Sequence, residues 1–298
     1  MPPRSTIIFP FAIACFGIAL FVVMDALMKA LTLQIGAYNA SLWRSFAGVG
    51  LLGSVHLVRG APWPSRAVMR LHALRGLQVA LMIVLYFWGL ARVPLAEGIA
   101  LTFIAPLIAL YLAAVLLKEQ VRARAVWASV IGFVGVLVIA AGRIDTRPTP
   151  DVIWGIVAIL AAALFYAHNL ILQRQQAQVA LPSEVALFNA AFVALFLMLA
   201  APIWLKVPPL SSVPLILIAA VIGSISVMLL AWAYARAEAK VLITVEYSAF
   251  IWGALIGALV FREPLTLFTM AGTVLIVAGC VLAAWQERSH QPSAELGL

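Results

Sequence analysis

Residues Val213–Ala235 read VPLILIAAVIGSISVMLLAWAYA, an apolar run without a single charged side chain. The hydrocarbon layer of a bilayer is ~30 Å thick and an α-helix rises ~1.5 Å per residue, so about 20 such residues cross it. Strands of a membrane β-barrel are shorter and alternate apolar with polar residues, which this run does not do. Outward from it, nine further runs of the same kind fill the chain: Ile7–Leu31, Tyr38–Val58, Met69–Ala91, Leu95–Leu117, Val121–Ala141, Val152–Gln173, Glu184–Leu205, Val241–Phe261 and Leu267–Trp285. Breaks fall at proline and charge, as at Arg59–Pro64, Arg92-Val93-Pro94, Arg143–Pro150 and Lys206–Pro209. The expected fold is all-α and integral to a membrane, with ten transmembrane helices in a single membrane domain spanning residues 1–298. No linker is long enough to tether a soluble domain.

Composition agrees. Hydrophobic residues make up 65% of the chain and charged ones 10%, with a mean hydropathy of +1.11. A water-soluble domain needs roughly a quarter of its residues charged. Arg4 ahead of the first run resembles the start of a secretory signal, but the run is too long and no small-residue cleavage site follows, so it is expected to be retained as the first span. Cys15 and Cys280 fall inside apolar runs and read as small buried hydrophobes, with neither a disulfide framework nor a metal spacing.

The net charge of +8 is distributed among short loops, a pattern of membrane orientation rather than of nucleic-acid binding. With a cytoplasmic N-terminus, the inside segments hold Arg4, Arg59, Arg66, Arg70, Arg75, Lys118, Arg122, Arg124, Arg174, Arg236, Lys240 and Arg288. The outside segments hold only Arg92, Arg143, Arg147, Lys206 and Arg262, while Lys29 and Arg44 sit near the outer ends of spans one and two. This excess of inside cations places both termini in the cytoplasm, as an even number of spans requires. The expected location is a bacterial inner membrane, with the lipid bilayer as the surrounding partner.

An internal repeat carries more. Ala91-Arg92 recurs as Ala235-Arg236 at an offset of 144 residues, which also pairs Trp88 with Trp232, Lys118-Glu119 with Arg262-Glu263, and Gly135 with Gly279. Each half then holds five spans, repeat one over about 7–142 and repeat two over about 152–286. An odd number of spans per half inserts the second copy upside down. Two inverted five-helix repeats are an arrangement of alternating-access transporters, whose substrate site lies near the midplane between the halves.

Ala105-Pro106-Leu107 with Lys118-Glu119, and Glu246-Tyr247-Ser248-Ala249-Phe250-Ile251-Trp252 with Phe261-Arg262-Glu263-Pro264-Leu265-Thr266, resemble the drug/metabolite transporter superfamily in its EamA-like branch. That family's Gly-Glu-x-Leu ending stands here as Lys-Glu-Gln-Val and Arg-Glu-Pro-Leu, the Gly being replaced in both halves. The resemblance covers nearly the whole chain. Within the branch the chain is most similar to the YddG-like exporters of aromatic and other neutral amino acids, which also move cationic toxicants. The resemblance implies a secondary transporter that exports such amino acids or related metabolites. From position alone, Glu119 and Glu263 read as interfacial ion-pair partners that cap or orient helix ends.

Candidate substrate contacts are the polar and aromatic groups stranded in the spans, because an ionisable residue there is costly and usually faces a cavity or a partner. The deepest are Asp25, Gln78, His168, Asn169 and Glu246; the 144 offset maps Asp25 to Asn169 and Glu246 to Thr102. Glu246 could hold an ammonium group or another cation, or bind a coupling proton; the alternative is a buried neutral carboxyl hydrogen-bonded to a neighbouring helix. Asp25 and Lys29 stand one turn apart and read as an i,i+4 ion pair. His168 could relay protons, its ordinary pKa being ~6.5, or simply bond a neighbouring helix. Gln78, Met82 and Tyr86 recur at spacing four on one face of span three. Tyr247 and Trp252, with Trp88, Tyr166 and Trp232, could line a cavity and stack on aromatic or cationic solutes. Trp43, Trp63, Trp127, Trp154, Trp204 and Trp285 lie nearer span ends, as an interfacial belt would.

Other classes lack their residues. A membrane-embedded enzyme would want paired carboxylates, a His-rich metal set or a Ser–His constellation, and of four His only His168 lies deep in a span. No cofactor is implied, no pore-loop signature suggests a channel, and no Walker motif suggests ATP-driven pumping. A multidrug exporter or a metabolite importer of the same superfamily remains an alternative. Two complete halves in one chain permit a working monomer.

Overall fold

The computed structural model describes residues 5–105, 107–108, 123–144, 149–236 and 248–287. These are helical, with no strand among them. Setting aside two short turns at Ala201–Trp204 and Leu210–Ser212, the helices are α1 Ser5–Ile35, α2 Ala37–Val58, α3 Arg66–Leu90, α4 Leu95–Thr102 and α5 Ala123–Ile144, followed by α6 Pro150–Val179, α7 Pro182–Met198, α8 Val213–Tyr234, α9 Ser248–Val260 and α10 Leu267–Glu287. Among the described residues four stretches are long and apolar enough to cross a membrane: Phe9–Ile35, Arg66–Leu90, Pro150–Val179 and Leu210–Tyr234. Val130–Ile139, Pro182–Met198, Ser248–Val260 and Leu267–Gly279 are shorter apolar helices.

Local chemistry sets the boundaries. α6, α7 and α8 each carry proline at the first or second helical position, where the missing N–H would have no intrahelical acceptor. Ser65 caps α3, its hydroxyl accepting from Val68 N at 3.4 Å. Between α1 and α2 the chain reverses at Gly36, whose φ of +82° would strain any L side chain.

The helices pack in crossing pairs: α1 on α8, α3 on α6, α2 on α7, α2 on α8, α3 on α7 and α5 on α10, with α1 also touching α9 and α6 touching α4. Small residues let backbones meet. A Cβ on Gly135 of α5 would stand 2.6 Å from the Gly272 carbonyl of α10, and one on Gly89 of α3 would stand 2.5 Å from the Gly155 carbonyl of α6. At one end of the bundle, α2 is stitched to the last turn of α7 and the segment after it. Tyr38 donates to Leu197 O at 2.7 Å, Asn39 Oδ1 accepts from Lys206 N at 2.8 Å, and Trp43 Nε1 donates to Lys206 O at 2.9 Å.

The C-terminal ends of α3 and α8 are built alike. The Arg92 guanidinium lies 3.5 Å over the Trp88 ring and donates to the Trp88 carbonyl at 2.8 Å. Arg236 lies 4.2 Å over Trp232 and donates to its carbonyl at 3.2 Å. Each cation thus satisfies a terminal carbonyl and an aromatic face together.

The loop after α9 makes a polar joint with two other helices. Phe261 N and Glu263 N both donate to Gly257 O, at 3.1 and 3.0 Å, and between them Arg262 takes a left-handed φ of 55°. This is the position where the resembled family carries glycine, and its backbone conformation supplies the reason. The turn aims the Glu263 carboxylate back into the bundle. One oxygen pairs with the Lys29 ammonium of α1, and the other accepts from Leu95 N at 2.7 Å, capping α4 where Pro94 cannot. Lys29 also donates to Val93 O at 2.7 Å. The expectation that Glu263 pairs with a cation and caps a helix end therefore holds, and the cation comes from another helix.

Because Arg262 is exposed and its strain is backbone strain, Arg262→Gly should stabilise the protein by about 1 kcal/mol. Arg262→Ala, still left-handed without glycine's freedom, should leave stability near wild type; thermal unfolding in detergent compares the three. Glu263→Gln removes a charge from a pair whose side chains are 5% (Lys29) and 18% (Glu263) exposed, and should lower stability by about 3 kcal/mol. In the same assay, an unchanged melting temperature for Glu263→Gln would show that the joint contributes nothing.

Candidate functional site

A cavity of about 150 Å³ opens in the middle of the bundle, walled by residues of α1, α2, α3, α4, α6, α7, α8 and α9. Its walls follow helical periodicity. On α3 the row is Arg75, Val79, Met82 and Tyr86; on α6 it is Ala162, Tyr166, Asn169 and Gln173; α1 contributes Phe21 and Asp25, and α4 contributes Ile99 and Thr102. Apolar and aromatic groups dominate, with a few polar groups set among them, the composition of a small-molecule site.

The sequence candidates distribute as follows. Met82, Tyr86, Thr102 and Asn169 line the cavity. Gln78 and His168, both half-buried, and Trp252, 39% exposed, are not among its lining residues. A spacing of four drifts round an α-helix by about 40° per step, which carries Gln78 off the face that Met82 and Tyr86 share. Glu246 and Tyr247 lie outside the described residues, as do Lys118 and Glu119.

Sequence reading missed Arg44, Arg75 and Asn189. Arg75 stands with the inside cations by position, yet it is 5% exposed and forms part of the cavity wall. Its guanidinium is held from three directions: Nε donates to Asn169 Oδ1 at 3.0 Å, Nη1 to Gln176 Oε1 at 2.5 Å and Nη2 to Gln173 Oε1 at 3.5 Å. The amide of Gln176 reaches His72 Nδ1 at 2.5 Å, and His72 Nε2 lies 3.0 Å from Glu184 Oε1. With Gln176 donating to Nδ1, a neutral ring carries its proton on Nε2 and donates it to Glu184. The His72 ring is fully buried and stacks on Phe188 with centroids 5.0 Å apart. This chain of contacts ties α3, α6 and α7 together at the N-terminal end of α3. The joint between Lys29, Glu263 and Leu95 lies beyond the opposite end of the same helix, so polar clusters tie helices together near both ends of α3.

Asp25 and Lys29 do not form the pair that their spacing suggests. Lys29 reaches Glu263 and Val93, whereas Asp25 Oδ2 accepts from the Tyr86 hydroxyl at 3.1 Å. Asp25 Oδ1, Arg44 Nε and Asn189 Oδ1 are buried without a hydrogen-bond partner, and all three residues line the cavity. Buried polar groups left open in this way mark places where something else completes them.

A pseudopaline exporter of Pseudomonas aeruginosa is 26% identical over 267 residues, covering 88% of this chain and 90% of its own. An S-adenosylmethionine uptake transporter of Rickettsia bellii is 22% identical, with 89% of each chain covered. A riboflavin transporter of Vibrio cholerae is 27% identical over 74% of this chain and 73% of its own. A solved crystal structure superposes with a TM-score of 0.63 over 95% of this chain and 100% of its own at 22% identity, a likeness of fold alone. The EamA-like transporter family matches residues 7–141 and 153–285, and with both halves covered the chain belongs to that family of membrane transporters.

Proposed function

We propose that the chain is a secondary transporter that exports amino acids, aromatic and other neutral ones, or related small metabolites across a bacterial inner membrane by alternating access. In this reading one membrane domain carries ten spans as two inverted five-helix repeats, both termini are cytoplasmic, and a monomer suffices. The observation that carries it is the central cavity: apolar and aromatic, with a few polar groups set in its wall.

The packing favours the repeat. α1 meets α8 as α3 meets α6, and α1 meets α9 as α6 meets α4, the exchange that an inverted five-helix duplication produces. The matching Arg-over-Trp ends at Trp88 and Trp232 stand at the offset of 144 residues seen in the sequence. Two similar halves that contribute jointly to one cavity can exchange conformations, so that closing one end opens the other. Met82, Tyr86, Thr102 and Asn169 then contact substrate from the wall. Glu246, Tyr247, Trp252, Gln78 and His168 remain candidates for substrate or coupling-proton contacts in another state of the cycle.

The named relatives move small organic solutes, and S-adenosylmethionine itself ends in an α-amino acid group. The uptake transporter among them also favours a second reading, import of such a solute by the same fold. Counterflow of radiolabelled phenylalanine, tryptophan, threonine, methionine and S-adenosylmethionine into proteoliposomes, with and without a pH gradient, tests both. Saturable counterflow of at least one neutral amino acid is expected, and dependence on the gradient would identify a proton as the coupling ion. Counterflow of S-adenosylmethionine alone would favour the second reading. No amino-acid flux above empty liposomes would overturn the first.

A further inference from the structure

Two ionisable groups line the cavity with hydrogen-bonding atoms left open. Asp25 is 4% exposed; Tyr86 occupies its Oδ2, and its Oδ1 is buried with nothing bonded to it. Arg44 contributes to the same wall, its Nε is buried without an acceptor, and its guanidinium forms neither a hydrogen bond nor an ion pair among the described residues. The two do not pair with one another: the ion pairs seen are Lys29–Glu263 and His72–Glu184. They act on one another only through space, without a bond between them, and no other charged side chain is bonded to either. Lys29, one turn from Asp25, is directed to Glu263, and the other arginine of the wall, Arg75, has each of its guanidinium nitrogens bonded to a side-chain amide.

A carboxyl group and a guanidinium that share the wall of an apolar cavity without bonding to one another are only partly compensated for their burial. The cost falls when a ligand brings the complementary charges. We infer that Asp25 and Arg44 are the two poles of a zwitterion site, Asp25 Oδ1 taking the α-ammonium group and Arg44 the α-carboxylate of an amino acid. A guanidinium offers a planar fork of N–H donors that matches a carboxylate two to two, and an ammonium needs an acceptor such as the open carboxylate oxygen. The substrate's side chain then lies against the apolar wall of Phe21, Val79, Ile83 and Phe87. The site discriminates by charge at both poles: a plain amine leaves Arg44 uncompensated, and a plain acid leaves Asp25 so.

This inference rests on the amino-acid reading above and deepens it. The test is equilibrium binding of phenylalanine, phenylalanine amide and 3-phenylpropionate to the full-length protein in nanodiscs. Wild type should bind phenylalanine at least about ten-fold more tightly than either analogue. Asp25→Asn should weaken phenylalanine by about ten-fold or more while leaving 3-phenylpropionate unchanged. Arg44→Gln should weaken phenylalanine equally while leaving phenylalanine amide unchanged. Wild type binding either analogue as tightly as phenylalanine overturns the two-pole site without any variant having to fold. Variants that weaken all three ligands alike, with wild-type melting temperature, also overturn it. In both cases the binding of phenylalanine itself leaves the amino-acid reading standing. Wild type that binds none of the three while carrying another solute in counterflow removes both.

Discussion

Within a bilayer no water completes the hydrogen bonds of a buried polar group, and that constraint orders this molecule. Backbone groups meet it by forming helices. Charged side chains meet it by finding partners on other helices, and the bundle's polar joints are the result. Glu263 satisfies an ammonium and a helix N-terminus with one carboxylate, while Arg75 is shared among three amides of α6. At the ends of α3 and α8 an arginine folds back over a tryptophan and the last turn's carbonyl. Of the buried polar atoms left open among the described residues, those on Asp25, Arg44 and Asn189 share the wall of one cavity.

The same constraint bears on the proposed alternation between two states. Contacts among α3, α6 and α7 tie the bundle near one end of α3, and the loop between α9 and α10 holds α1 and α4 near the other. Each joint depends on a handful of polar contacts between helices that otherwise meet through small residues and apolar surface. In the proposed cycle such contacts would be made in one state and broken in the other. A ligand can favour one packing over the other only through contacts that differ between them.

Much of this is legible in the amino-acid sequence. Apolar runs as long as Val213–Ala235 have one economical solution in lipid, and the repeat of Ala-Arg after Trp points to two related halves. The position and ion-pairing role of Glu263 at a helix end are legible too, whereas the left-handed turn at Arg262 that aims its carboxylate inward is a matter of backbone geometry. Partners across helices are not legible. Spacing along one helix joins Asp25 to Lys29, but an ammonium on a long stem reaches whatever carboxylate a neighbouring helix presents, here Glu263. Arg75 passes for an orientation charge, and Arg44 for a cation near a span end, because charge counting sees only distance from a span end. Arg75 is nevertheless drawn inward by amides of α6 that lie about a hundred positions away in sequence. Met82 and Tyr86 emerge because helical periodicity places them together; Gln78 shares their spacing but not their face.

The central claim is that the cavity opens to one side of the membrane and then to the other. Met82→Cys in a chain whose Cys15 and Cys280 are replaced by serine places one thiol in the cavity wall. Its reaction with a membrane-impermeant thiol reagent, added to either face of oriented membranes, measures access directly. Labelling from each face, slowed from both by saturating substrate, is the predicted result. Labelling from one face only, under every substrate and gradient condition, would contradict the account.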